Sequence, residues 1–155
     1  MGLQQKMSED LKTALKAGRD FDVGVLRYLQ AALHNSEIEK KGKGQDAVLI
    51  DEEVIDVLSR EAKKRKEAVA AYQKGNRADL AEKETKEHEL ITRYLPTQLS
   101  KGEIERVVIE VIAATGARVQ KDFGRVMGEA IKKMKGRVDA KLVSEIIKEM
   151  LSRQE

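Results

Sequence analysis

The sequence predicts an all-α protein: an amino-terminal helical region with an antiparallel hairpin, followed by a small carboxy-terminal three-helix domain. Apolar residues recur at intervals of three and four through most of the chain, the pattern of amphipathic helices packed on a core. Helix start and stop signals separate these stripes. Aromatic residues make up only 3% of the 155 residues, so we expect aliphatic side chains to fill the core.

Leucine-rich stripes mark the first two helices. The first stripe ends at Gly18, which suits the left-handed position after a helix, and consists of Leu3, Met7, Leu11, Ala14 and Leu15. The second consists of Leu26, Leu29, Leu33 and Ile38. The segment KKGKGQDA, residues 40–47, then combines two glycines with lysines, which predicts a loop. It lacks the spacing and the Ser or Thr of a Walker-type phosphate loop.

A helical hairpin is predicted over residues 51–95. Asp51 is expected to cap its first helix, and Gly75 and Asn76 to supply the stop and the next cap. The stripe of the first helix is thinnest across REAKKRKE, residues 60–67, so we expect this section to stand away from the core. The second helix, from about Arg77 to Leu95, is acidic where the first is basic. Antiparallel pairing would therefore place opposite charges together.

The domain boundary is predicted between Pro96 and Ser100. Proline disfavours helix at the residue before it, so the hairpin ends near Leu95. Ser100 and Glu103 have the spacing of a capping box, which starts a new helix. The domains are therefore expected at 1–98 and 99–155.

The stretch from Lys121 to Leu151 predicts two helices around a basic turn. One face of the first helix is apolar and is expected to be core; it carries Phe123, Val126, Met127, Ala130 and Met134. A second face combines bare backbone with cations, at Gly124, Gly128, Lys132 and Lys135, with Arg125 beside it. Gly136 is expected to end this helix and Asp139 to cap the next. The glycine face predicts close approach of either a neighbouring helix or a ligand.

Positive charge is concentrated at this turn. Residues 121–141 contain seven Lys or Arg against three acidic residues, a net charge of +4, whereas the whole chain carries +3. Such a patch is typical of a surface that meets phosphate, although lysine runs are commonly just solvated helix ends. The candidate phosphate ligands are Arg125, Lys132, Lys133, Lys135, Arg137 and Lys141, and the candidate close-approach glycines are Gly124, Gly128 and Gly136.

Catalytic and metal-binding patterns are not found in the sequence. The chain has no cysteine, and its two histidines, His34 and His88, lie far apart. Glu84 and His88 are spaced i, i+4, but no further ligand lies nearby, so a packed histidine is expected. We therefore predict no catalytic residue, metal or cofactor. The start of the chain lacks a signal-like apolar core and no run reaches membrane-spanning length, which favours a cytoplasmic protein without a membrane partner.

The strings DFGRVMG and KGRVDAKLV, with YLPTQLSKGEIE upstream, resemble the signature of the GatB/YqeY family. The amino-terminal half, through LRYLQAALHNSEI and EEVIDVLSREAKKRKEAVAAY, is similar to the stand-alone YqeY branch. The resemblance implies a helical hairpin region and a carboxy-terminal domain similar to the tail of the tRNA-dependent amidotransferase B subunit, which contacts tRNA. Val119 and Ala140 depart from the family pattern at a small polar cap and a glycine; this leaves Asp122 as the expected cap.

Two functions follow as hypotheses. The first is a non-catalytic accessory protein that binds tRNA or structured RNA through the basic turn. The second is an adaptor whose hairpin, residues 51–95, docks on a protein partner. A variant of these follows from the family's association with carbon–nitrogen ligases that use glutamine as amide donor: the chain could assist such a ligase, although it lacks the catalytic body.

Overall fold

The protein is all-helical, as the sequence predicts. A computed structural model describes residues 1–154. Within this part of the chain it contains seven α-helices and one short 3-10 helix, Gln120–Asp122. The α-helices are α1 Leu3–Lys16, α2 Asp20–Gly42, α3 Asp51–Lys74, α4 Ala78–Thr92, α5 Lys101–Thr115, α6 Phe123–Met134 and α7 Ala140–Gln154. The chain divides into two compact units, Met1–Leu95 and Pro96–Glu155.

The amino-terminal unit packs α1 to α4 around one core, which includes the fully buried Met7, Leu29, Leu33, Val54 and Leu58. The start of α1 is capped by a residue that is distant in the sequence, because the Leu3 N–H donates to the Asp51 carboxylate at 2.9 Å. Asp51 was expected to cap α3, and that prediction is wrong. Ile50 occupies the cap position of α3, and its N–H donates to Glu53 at 2.9 Å.

The helices α3 and α4 form the predicted antiparallel hairpin with opposite charges facing. The Arg65 guanidinium lies 2.9 Å from the Glu87 carboxylate and 3.5 Å from that of Glu84. The prediction that residues 60–67 stand away from the core is wrong, because Glu61 and Ala62 are buried. The charged section is covered from α2 as well, where the Tyr28 ring lies 4.7 Å from the Arg65 guanidinium.

In the turn between α3 and α4, Asn76 does not cap α4 as predicted. Gly75 has φ −84°, whereas Asn76 has φ 56° and is the residue in the left-handed conformation. Asparagine tolerates this region because its short polar side chain can bond locally. Asn76 therefore helps to stop α3, and Arg77 precedes α4 without a side-chain cap.

The carboxy-terminal unit packs α5, α6 and α7 around a second core, which includes Ile104, Val108, Val126, Val143 and Ile147. Its first helix begins at the predicted capping box. The Ser100 hydroxyl accepts from the Glu103 N–H at 3.2 Å, and the Glu103 carboxylate accepts from the Ser100 N–H at 2.8 Å. Gly116 ends α5 with φ 68°.

Two expected core positions differ from the pattern. Leu15 and Ile38 belong to the predicted stripes of α1 and α2, yet both are largely exposed. Each lies near the carboxyl end of its helix, beyond the last buried residue of that helix. Across the described residues, no helix combines the length and apolarity needed to cross a membrane.

Candidate nucleic-acid interface

The helix α6 presents its predicted apolar face to the core of the carboxy-terminal unit. Val126, Ala130 and Met134 are buried, and Phe123 and Met127 pack against them while half-buried. The helical period therefore turns the opposite side, which carries the glycines, to the surface.

The two glycines of α6 face open space. Both Gly124 and Gly128 are exposed, and a Cβ added at either would meet nothing within 4 Å. Sequence reasoning left open whether this face meets a neighbouring helix or a ligand. Within the carboxy-terminal unit no atom lies within 4 Å of either added Cβ, so this side of α6 is bare backbone.

Cations flank the glycine surface on one side. Arg125 and Lys132 are exposed, and each is anchored to an acidic residue of the same helix region: Arg125 lies 3.4 Å from Asp122, and Lys132 lies 3.7 Å from Glu129. At about 100° per residue, Lys132 projects about 40° around the helix from Gly128. Both cations stay exposed, and each is paired with a carboxylate that offsets part of its charge.

Lys133 lies away from the glycine face, and Lys135 directly follows the end of α6. Lys133 is exposed but projects about 140° around α6 from Gly128. The helix α6 ends at Met134, and Lys135 follows it as the exposed C-cap residue with a helical φ of −51° and a non-helical ψ of 129°, so the main chain turns away after this residue. Gly136 then adopts the predicted left-handed conformation, with φ 76°. The helix α6 therefore ends at Met134, one residue before Lys135, the last member of the periodic pattern in the sequence.

The basic turn is tied to the segment that precedes α5. The Leu99 N–H donates to the Arg137 carbonyl at 2.8 Å, and the Gln98 amide donates to the Gly136 carbonyl at 3.0 Å. In addition, the Arg137 Nε donates to the Thr97 carbonyl at 3.1 Å. Sequence reasoning missed this role. Arg137 thus holds the turn in place with its Nε–H. An arginine has five N–H donors, so the other four are not used by this bond.

Asp122 bonds to the segment that precedes α6 and does not cap the helix itself. It precedes α6 as predicted, but its side chain accepts no hydrogen bond from a backbone N–H of the first turn. Its carboxylate instead accepts from the N–H groups of Arg118 at 3.0 Å and Val119 at 3.3 Å. These bonds, with the positive charges of Arg125 and Lys121, hold the pKa of Asp122 below its ordinary value. The carboxylate fixes the connection between α5 and α6.

Asp139 caps α7 as predicted, because its carboxylate accepts from the Lys141 N–H at 2.9 Å. The Lys141 side chain is exposed in the first turn of α7, which follows the basic turn in the chain. The six candidate cations are therefore all exposed in one unit, and Arg125 and Lys132 lie beside the glycine surface of α6.

No catalytic arrangement forms around the histidines. His88 is half-buried, and burial followed by the charge of Lys66 lowers its pKa. The Glu84 carboxylate is directed to Arg65, and burial followed by the charge of Glu87 raises its pKa. Among residues 1–154 no group of three or more His, Cys, Asp or Glu side chains could hold a metal ion.

Comparison with known proteins places these features in a family. The family model for Yqey-like proteins matches residues 4–151. The E subunit of glutamyl-tRNA(Gln) amidotransferase from Aeropyrum pernix is 30% identical over 153 residues, which cover 95% of this chain and 22% of that protein. The E subunit from Sulfurisphaera tokodaii is 31% identical over 118 residues, covering 72% of this chain and 18% of that protein.

A shorter relative has a different name. Altered inheritance of mitochondria protein 41, mitochondrial, of Lachancea thermotolerans is 34% identical over 89 residues, covering 57% of this chain and 46% of that protein. The chain thus spans about half or less of the length of these curated relatives. The relation to amidotransferase subunits that the sequence indicates is confirmed. Since the family model covers nearly the whole chain, the protein belongs to the Yqey-like protein family.

Proposed function

We propose that this chain is a non-catalytic accessory protein that binds tRNA or structured RNA through α6 and the basic turn. The observation that carries the proposal is the exposed backbone at Gly124 and Gly128 with Arg125 and Lys132 beside it. A phosphate can come close to a helix surface that has no side chains, and adjacent cations can then neutralise it.

The composition of this surface favours recognition of shape and phosphate over recognition of bases. The nearest aromatic residue along α6 is Phe123, which is half-buried in the core, and its ring is contacted by Lys148 at 5.5 Å. It is therefore poorly placed to stack on a base. Double-stranded RNA is read mainly through its backbone and 2′-hydroxyl groups, a mode that needs cations and hydrogen-bond donors.

The names of the relatives support tRNA as the first RNA to test. Two relatives are named as subunits of a glutamyl-tRNA(Gln) amidotransferase. This chain corresponds to about a fifth of each of those proteins. We propose that it keeps a part that contacts tRNA and assists a glutamine-dependent ligase without transferring the amide group itself.

A salt titration tests this proposal. Binding of labelled tRNA is measured by filter retention at several salt concentrations for the wild type and for the variant K132Q/K133Q/K141Q. These three side chains are exposed, and none of them ties the main chain, unlike Arg137. Each lost phosphate contact should reduce the slope of log K against log salt by about 0.9, so the triple variant should lose up to about 2.7.

The matched control is K63Q/K64Q/K66Q on α3, which removes the same charge from the hairpin. We expect this variant to bind tRNA nearly as the wild type does. If the hairpin variant loses binding and the turn variant keeps it, the site is wrong. If wild type binds neither tRNA nor another structured RNA, the adaptor function of residues 51–95 replaces the proposal. Circular dichroism checks that both variants keep their helicity.

The compartment is also a proposal. We infer a cytoplasmic protein from the sequence, while one relative is named as mitochondrial. Fractionation of cells that express the tagged natural gene decides between these locations. Recovery in an organelle fraction would contradict the inference.

A further inference from the structure

A cluster of four charged side chains lies between α3 and α4 in the amino-terminal unit. Its one cation is Arg65, whose Nε lies 2.9 Å from the Glu87 carboxylate and 3.5 Å from that of Glu84. The Glu61 carboxylate lies 4.0 Å from the Arg65 Nη1. All four side chains are largely buried, with 7% exposure for Glu61, 16% for Arg65 and Glu87, and 19% for Glu84. One arginine therefore faces three carboxyl groups at a place that is largely shielded from water.

Two of the three carboxylates have a cation close to them. The Lys64 Nζ lies 3.1 Å from Glu61, and the Arg65 Nε lies closest to Glu87. Glu84 is the third carboxyl group, and among residues 1–154 its ion pair is the longer one, to the same Arg65 Nε. Two cations thus serve three carboxylates, and Glu84 is the group without a cation of its own.

The other neighbours of the cluster do not add a third cation at close range. Lys83 is adjacent in the sequence, but its side chain is exposed, so water weakens its field. His88 follows one turn further along α4, and burial, followed by the charge of Lys66, lowers its pKa, so it is neutral at pH 7. From α2 the bordering groups are Asp20, which is acidic, and the ring of Tyr28. The excess of acid in the cluster therefore persists.

Hydrogen bonds do not satisfy the cluster either. The buried atoms Glu61 Oε2, Arg65 Nε and Glu84 Oε2 lie at ion-pair distances, but none of them makes a hydrogen bond to a described residue. Leaving buried polar atoms without hydrogen bonds is unfavourable. A protonated carboxyl group carries an O–H that it can donate to a neighbouring carboxylate. A proton on Glu84 would therefore remove one negative charge and supply a donor for Glu87.

We propose that this cluster is a proton switch in the hairpin: Glu84 binds a proton as the pH falls and donates it to Glu87, and loss of that proton weakens the packing of α4 on α3. Two ionised carboxylates that share one arginine repel each other, which is the physical reason for the weakening. A cavity of about 350 Å³ that Arg65 and Glu87 help to line opens beside the cluster, so protons can exchange with solvent. The proposal is independent of RNA binding, since every residue in it belongs to the amino-terminal unit.

The direction of the pH dependence follows from the surroundings of Glu84. Burial, followed by the charge of Glu87, raises the pKa of Glu84 above its ordinary value. Its contribution to stability is therefore complete below the ordinary glutamate pKa and is lost as the pH rises through the raised pKa of the folded state. The amino-terminal unit should accordingly be less stable at pH 8 than it would be with a neutral group at position 84.

The variant E84Q tests the switch in the full-length protein. Urea unfolding is followed by tyrosine fluorescence at pH 4, 6 and 8, because all three tyrosines, Tyr28, Tyr72 and Tyr94, lie in the amino-terminal unit. The glutamine amide is neutral at every pH and can donate to Glu87 as a protonated carboxyl group does. We expect a higher urea midpoint for E84Q than for the wild type at pH 8, and a difference that narrows towards pH 4.

The matched control is E82Q on the same helix, where the Glu82 side chain is exposed and paired with Lys86 at 3.2 Å; its midpoint should stay close to that of the wild type at each pH. A second measurement follows the side-chain carboxyl carbon of Glu84 by NMR. Glu84 should titrate at higher pH than Glu82, and at lower pH in the variant E87Q than in the wild type. The proposal is overturned if E84Q is less stable than the wild type at pH 8, which would make Glu84 an ordinary ion-pair partner of Arg65. A stability difference that does not change with pH, or titration of Glu84 together with Glu82, overturns it as well.

Discussion

Replacing both glycines of α6 with alanine should stabilise the protein and weaken RNA binding together. Glycine inside a helix is less favourable than alanine by about 0.5 to 1 kcal/mol, so G124A/G128A should gain about 1 to 2 kcal/mol if each site is unstrained. The structure supports that condition. Both residues lie within α6, neither has a positive φ, and the new Cβ atoms would meet nothing within 4 Å.

The same methyl groups would stand on the surface proposed for phosphate. Loss of a hydrogen bond or close contact with a charged group costs about 1.5 kcal/mol or more, which corresponds to roughly tenfold weaker tRNA binding. Stability is measured by urea denaturation followed by circular dichroism at 222 nm, and binding by the tRNA titration described above. For a unit of this size, 1 kcal/mol corresponds to a shift of melting temperature of about 4 to 8 °C.

The variant G24A is the matched control for this experiment. Gly24 is exposed in α2, and a Cβ there would also meet nothing within 4 Å. It should gain about 0.5 to 1 kcal/mol without any change in tRNA binding. If G124A/G128A gains stability but binds tRNA like the wild type, the glycines do not serve close approach. If it loses stability, the open surface assigned to α6 is wrong.

Three further predictions concern the caps and the loop. S100A should destabilise the carboxy-terminal unit by about 1 kcal/mol in urea denaturation, since it removes the acceptor of the Glu103 N–H; an unchanged midpoint would contradict the capping role. Backbone N–H groups lower the pKa of Asp122, so its stabilisation is present above the ordinary aspartate pKa and is lost as pH falls through the lowered folded pKa. D122N should therefore be less stable than wild type at pH 7, with a difference that narrows below about pH 4; a difference that does not change with pH would count against this. Trypsin should cut first after Lys41, which is exposed in the last turn of α2, or after Lys43, which is exposed between α2 and α3, whereas residues 98 and 99 are bonded to the basic turn; first cleavage after Arg93 or Lys101 would refute the order.

The sequence by itself determined the helices and most of their ends. Amphipathic stripes and caps act over three or four residues, so the box at Ser100, the cap at Asp139 and the left-handed Gly136 could be read directly. Opposite charges on the two hairpin helices likewise predicted that the helices face each other with opposite charges, and the structure shows this at Arg65. The concentration of cations at the basic turn was visible in composition alone.

Contacts between residues distant in sequence were decided only by the tertiary structure. Asp51 bonds to the start of α1, 48 residues away, and Arg137 bonds to Thr97, 40 residues away. The spacing of apolar residues shows that a helix has an apolar face, but it does not show which other part of the protein covers that face. Packing therefore had to show that Glu61 is buried, that Gly124 and Gly128 face open space, and that Phe21, Tyr28 and Ile38 of α2 stay exposed. The physical reason is that local propensity depends on neighbours in the chain, whereas burial depends on which surfaces meet after the chain has folded.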